Sequence, residues 1–171
     1  LFRGARSWEE KVYRYYSGYR AAREAGKRHD LVVLPGFELT FSSLSGSDFL
    51  VYGIDEQLLA SVPEVATMQP EAALERIRSL GGLVFQAHPY RYSQPVQATW
   101  LDGVEVMNGN QRHNSQNERA AAFARKHDLL ALSGSDTHQG EDVARGGIQV
   151  PDLPRTIREF VSLLRERYHQ I

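Results

Sequence analysis

The sequence predicts an α/β domain of barrel-like build, and three observations carry that prediction. Short apolar runs alternate with helix-patterned segments along most of the 171 residues. Three of the runs end in residues suited to chemistry: 31–34 leads into Gly36-Phe37-Glu38, 83–87 into His88-Pro89-Tyr90-Arg91, and 129–133 into Gly134-Ser135-Asp136-Thr137-His138. A fourth run, 49–54, is entered through Asp48. Strands alternating with helices imply a parallel sheet with helices outside it. In a barrel of that kind, the rim at the strand ends collects side chains from distant parts of the chain.

Each element has its own signal. Residues 7–27 read as a helix: Ser7 is an N-cap with Glu10 three residues on, a capping-box spacing. Trp8, Val12, Tyr15, Tyr19 and Ala22 then recur at helical spacing, and Gly26 ends it. Leu31-Val32-Val33-Leu34 is continuously apolar and reads as a strand buried on both faces. Residues 49–54 form a second strand. Residues 70–80 form a helix, with Pro70 at its first turn and Gly81-Gly82 at its exit. Three more strands follow at 83–87, 103–107 and 129–133. Between the last two, the Ala-rich segment 114–127 is helical, with Ala121, Phe123 and Ala124 available to pack. Residues 147–150 read as a short final strand and 153–168 as a closing helix. The Ser/Gly-rich turn 42–47 is placed near the site, and no repeat or linker divides the chain, so residues 1–171 read as a single domain.

Composition bounds the function. A chain of this length buries a real core, and 42% hydrophobic with 24% charged residues is ordinary for a soluble globular protein. The net charge of −1 gives no whole-chain drive toward nucleic acid. Without cysteine, any metal must be held by nitrogen and oxygen donors. No run reaches the roughly 18–20 apolar residues of a membrane helix, and Leu1-Phe2-Arg3-Gly4 lacks a signal pattern. A cytoplasmic protein with no membrane partner is the default reading.

Taken singly, each candidate has a plain alternative. Glu38 serves equally well as a turn cap. His88 precedes Pro89, whose ring forbids helix at position 88, but a lone His-Pro is most often an ordinary turn. Asp136 and His138 alternate in an extended segment, so both can face one side. Their shared placement at one end of successive strands is what favours a metal site. Arg91, three residues after His88, suits a bidentate grip on phosphate. His113, which follows a strand on the same rim with Asn108, is a substrate contact or a helix-start residue. Arg145 reads as a solvated surface arginine, and His29, His127 and His169 as surface residues at helix ends.

In their order, these motifs resemble the PHP family (polymerase and histidinol phosphatase domains), from about residue 31 to residue 149. The Gly-x-Glu after a strand is matched by Gly36-Phe37-Glu38, the His-Pro pair by His88-Pro89, and the final Gly-Ser-Asp-x-His by residues 134–138. Where family members open the next strand with His, this chain has Asp48, an oxygen donor that favours harder metals somewhat. The departure is at the start. The family's His-x-His strand and its Thr-Asp-His or Thr-Glu-His strand are not found, since the only histidine before residue 88 is His29. The resemblance thus implies a distorted seven-stranded β/α barrel whose first two strands are absent from residues 1–171, and an N-terminally incomplete folding unit.

What the resemblance implies about function is metal-dependent hydrolysis of phosphate esters, with two or three divalent ions (Mn, Fe or Zn) at the C-terminal rim. A metal-activated hydroxide attacks phosphorus in line. Glu38 would bridge metals, Asp136 and His138 would ligate different ions, and His88 with Asp48 would complete another. These assign Glu38, Asp136 and His138 to catalysis, and Arg91, Asn108 and His113 to a small phosphorylated substrate, a nucleotide among the candidates. The alternative is a non-catalytic metal-binding or structural PHP-like domain. An amidohydrolase-type enzyme fits less well, because such enzymes present a strand-end lysine and none occurs between Lys27 and Lys126.

Overall fold

A computed structural model of the chain describes residues 7–92 and 94–171. The opening tetrapeptide and Ser93, within the loop 90–100, lie outside the described residues. Five strands form one mixed sheet in sequence order: β1 (Phe37–Phe41), β2 (Ser47–Tyr52), β3 (Leu83–Gln86), β4 (Gly103–Asn108) and β5 (Leu130–Gly134). An α/β architecture is therefore present, but the described residues form an open sheet of five strands rather than a seven-stranded barrel.

Nor is the sheet wholly parallel. β1 pairs with β2, and β2 with β3, antiparallel; β3–β4 and β4–β5 are parallel. For β1 and β2 the reason lies in connection length. Parallel neighbours need a crossover of a dozen or more residues, and the turn at 42–46 is far shorter.

The apolar run 31–34 is not a strand. Leu31 is 65% exposed, and its N–H donates back to the Gly26 carbonyl at 3.0 Å, so the run closes the preceding helix instead of entering the sheet. Asp30 turns the chain at φ 53, and Pro35 brings no donor for a ladder. Glu38 consequently lies within β1 itself rather than beyond the end of an earlier strand.

The N-terminal helix is two helices, α1 (Trp8–Tyr15) and α2 (Ser17–Lys27), broken at Tyr16. Ser7 caps α1 by accepting from Glu10 N at 3.2 Å. Tyr16 is fully buried with its hydroxyl donating to Ile54 O at 3.2 Å, a tertiary anchor that periodicity does not show. Gly26 is inside α2, not its stop. A Cβ there would lie 2.7 Å from Leu31 O and 2.8 Å from Val33 Cγ2, so its role is close approach. α3 (Glu56–Ala60), α4 (Pro70–Ser79), α5 (Asn117–Lys126) and α6 (Ile157–Arg165) complete the set. Residues 147–150 supply only the isolated bridge Gln149–Gln170. His169 is not a surface residue: its Nε2 lies 2.7 Å from Ala131 O.

Strand alternation divides the sheet into two faces. Phe49, Val51, Val84, Val104 and Val106 pack with residues of α1, α3, α4 and α5. Leu50, Tyr52, Leu83, Phe85, Leu130 and Leu132 form the second face under α6, against Phe160, Val161 and Leu164. Burial of a side chain such as Phe85 contributes about 1.5–3 kcal/mol. Phe85 lies against Gly103, where a Cβ would come within 2.3 Å of its ring. No helix among the described residues is long and apolar enough to cross a membrane.

Candidate metal centre

The face that carries Leu50 and Tyr52 also carries Glu38 and Asp48, farther along their strands. In β1, Glu38 and Thr40 share the more open side while Phe37, Leu39 and Phe41 turn toward the core. Thr40 pairs with Asp48 across the hairpin, and its Oγ1 donates to Asp48 Oδ1 at 2.6 Å. Ala87 N donates to the Asp48 carbonyl at 2.9 Å, which brings the residue after it alongside. His88 Nε2 is 3.7 Å from Asp48 Oδ2. One donor atom each from Glu38, Asp48 and His88 lies within 4.8 Å of the others. The turn at 42–47 does border this group, since Gly46 and Ser47 line a small cleft with Asp48, His88 and Tyr92.

Two of the donor residues have left-handed backbones. His88 has φ 28, just before Pro89, and Asp136 has φ 47. Non-glycine residues hold such conformations only where the surroundings over-determine them, commonly at functional sites. For His88 the constraint is Glu105, whose Oε2 accepts from His88 N at 3.0 Å and from Asn108 Nδ2 at 3.0 Å.

Asp136, beyond the end of β5, is fixed from several sides. Arg91 Nη2 donates to its Oδ2 at 2.5 Å and Asn108 Nδ2 at 3.1 Å. Its carbonyl accepts from Asn110 Nδ2 at 3.0 Å and lies 2.9 Å from His138 Nδ1. A carbonyl partner requires the proton on Nδ1, leaving Nε2 of His138 as the available ligand atom. The His138 side chain is 62% exposed.

The charges of these groups are coupled. Partial withdrawal from water, then the carboxylates of Asp48 and Asp136, raises the pKa of Glu38. Burial, then the Arg91 guanidinium, lowers that of His88 and keeps its ring neutral, the form that binds metals. Burial pushes Asp136 up, but the bonds from Arg91 and Asn108 outweigh it and the net shift is downward. Glu105 is pushed up to about 7 by burial, against the opposing hydrogen bonds from Asn108 and His88 N. A crowd of carboxylates beside a neutral imidazole is a donor set that a divalent cation would relieve. It contains only the oxygen and nitrogen ligands that Mn²⁺, Fe²⁺ and Zn²⁺ accept.

The structure thus groups Glu38, Asp48 and His88 tightly, with Asp136 and His138 on the adjoining loop. Arg91 is seated differently from a free phosphate grip. Its Nη2 serves Asp136, Asn108 Oδ1 and Ser115 Oγ, the last two at 3.2 Å, and its buried Nε has no partner among the described residues. Asn108 is a buried hub, and His113 is exposed with its N–H on Asn110 O. Sequence reasoning missed Thr40, Glu105, Asn110 and Asp142. Only Glu105 had a signal, a carboxylate between Val104 and Val106 in a strand.

Comparison with known proteins agrees with this build. Residues 114–168 match the family described as PHP-associated. The 5'-3' exoribonuclease Rnm of Escherichia coli (strain K12) is 39% identical over 80 residues, 40% of this chain and 27% of that protein. A two-domain protein from Bacteroides vulgatus ATCC 8482, described as containing a predicted PHP-like metal-dependent phosphoesterase, superposes with a TM-score of 0.66. That alignment is 18% identical and covers 90% of this chain and 48% of that one. The chain therefore spans about a quarter of the curated relative and about half of the solved one. Sequence and fold together show the resemblance to the PHP family that the motifs carry.

Proposed function

We propose that the protein is a metal-dependent phosphoesterase whose centre is built on Glu38, Asp48, His88, Asp136 and His138. The observation that carries this reading is the convergence of Glu38, Asp48 and His88 donor atoms, from β1, β2 and the loop after β3, within 4.8 Å of one another. Glu38 would be shared between ions, Asp136 and His138 would ligate different ions, and Asp48 with His88 would complete another. When bound, such ions supply Lewis acidity toward a phosphoryl oxygen and lower the pKa of water. The chain's own groups do the rest. His88 remains neutral and coordinating because burial and Arg91 hold its pKa down. Arg91 fixes Asp136 and adds positive charge beside it, which favours an incoming phosphate and the charge that develops on its oxygens. Asn108 holds both Asp136 and Glu105 in place, and His113, exposed on the same rim, is assigned to substrate. The match to Rnm supports a nucleotide or short oligonucleotide as the phosphorylated substrate.

The test is hydrolysis of an aryl phosphate and of a short oligoribonucleotide by the full-length protein with added Mn²⁺. Chelation should abolish turnover. Glu38→Ala, His88→Ala and Asp136→Ala should each lower it about 100-fold or more while the circular dichroism spectrum is kept. Undiminished activity in all three variants would overturn the reading.

A further inference from the structure

The segment that carries Asp136 and His138 is held by residues outside the donor set. Asp142 lies in a 3₁₀ turn, Gly140–Asp142, just after that segment. Its side chain is 6% exposed, and its Oδ2 accepts from three donors: His138 N at 2.8 Å, Gln139 N at 2.8 Å and Arg112 Nη2 at 2.6 Å. Arg112 comes from the loop after β4. Its own N–H donates to Asn110 Oδ1 at 3.1 Å, and Asn110 Nδ2 donates to the Asp136 carbonyl. Residues 136–139 are therefore clasped between the Asn110–Arg112 loop on one side and the Asp142 carboxylate on the other.

A carboxylate this deeply withdrawn from water persists only when paired and hydrogen-bonded. Here two of its three donors are backbone N–H groups of the donor-bearing segment itself. The bonds set the path of the chain directly after Asp136, a residue whose left-handed backbone needs such enforcement.

We propose that the Arg112–Asp142 ion pair is a positioning device for the metal centre, fixing residues 136–139 so that Asp136 and His138 are presented to the same ions as Glu38, Asp48 and His88. The proposal rests on the metal-centre reading. Neither Arg112 nor Asp142 is a ligand or a catalytic residue; each acts through the residues it holds. Groups that orient metal ligands in this way typically govern 10–100-fold in affinity or activity.

The experiment compares the intact protein with Arg112→Ala, Arg112→Lys and Asp142→Asn. It measures hydrogen exchange at the His138 and Gln139 amides, Mn²⁺ affinity by calorimetric titration, and Tm. Arg112→Ala leaves Asp142 with its two backbone donors, so it tests the clasp even if Asp142→Asn fails to fold. Arg112→Ala should speed exchange at both amides and weaken Mn²⁺ binding about 10–100-fold, and Arg112→Lys, which keeps the charge, should recover most of that affinity. Unchanged exchange in Arg112→Ala would overturn the proposal. So would faster exchange and a lower Tm with unchanged Mn²⁺ affinity, the pattern of a merely structural pair. An intact protein that binds no Mn²⁺ would overturn the metal reading and the proposal together, a result visible before any substitution is made.

Discussion

The guanidinium of Arg91 meets the carboxylate of Asp136 at 2.5 Å, with side chains only 6% and 16% exposed. The pair joins the loop after β3 to the loop after β5, and so ties the His-Pro motif to the Asp-x-His motif. Removing one partner of a buried pair leaves the other as an uncompensated charge, which typically costs about 3–5 kcal/mol. Arg91→Ala should therefore lower the stability of the metal-free protein by roughly that amount. Urea denaturation checks this, and Mn²⁺ should restore part of the loss because a cation can replace the guanidinium beside Asp136. A variant as stable as the parent would show that the pair contributes nothing.

Thr40 offers a subtler probe of the same centre. Its hydroxyl donates to Asp48 Oδ1 and leaves Oδ2 facing His88. Thr40→Val keeps the shape and the strand preference but removes that bond. Mn²⁺ affinity should fall about 10–100-fold while Tm without metal changes little. Equal affinity in the two proteins would place Asp48 outside the coordinating set.

Much of this arrangement was legible in the sequence, and the rest was hidden for identifiable reasons. Residues 83–87, 103–107 and 129–133 announced β3, β4 and β5 because strands buried on both faces read as apolar runs. The same rule misread residues 31–34, where Leu31 is mostly exposed and the run folds back on Gly26. The break at Tyr16 was invisible in the helical spacing, as was the bond from its buried hydroxyl to Ile54, distant in sequence. At the candidate site, Glu38, Asp48 and His88, which the structure brings together, were singled out through their flanking residues, which are local. Thr40, Asn110 and Asp142 were not, since their importance lies in partners brought by strand register and loop packing. The parallel sheet expected from strand–helix alternation was wrong for β1 and β2, whose short connecting turn reads in the sequence only as lying near the site, and the return of β3 beside β2 did not show.

Glu105 makes stability depend on pH. Its folded pKa of about 7 lies above the unfolded glutamate value of about 4.3. As pH rises, the unfolded chain gives up this proton first, so the folded state loses stability from about pH 4.3 to about 7 and the loss levels off beyond. The size is on the order of 3–4 kcal/mol for this group. Glu105→Gln keeps an acceptor for His88 N without the charge. In metal-free protein it should match the parent near pH 4 and exceed it at pH 8. Parallel stability curves for the two proteins would contradict this.

The hairpin of β1 and β2 has a kinetic consequence. Glu38 and Asp48 are only ten positions apart, joined through a tight turn, and hairpins of this kind close in about 1–10 μs. His88 and Asp136 reach the same place only after longer stretches of chain have docked, a slower process that must overcome more loop entropy. Early in refolding, two like charges are thus drawn together before any compensating group arrives. That mutual repulsion opposes the first step, and a dissolved divalent cation of the kind proposed for this centre would offset it, so that such an ion would also speed refolding.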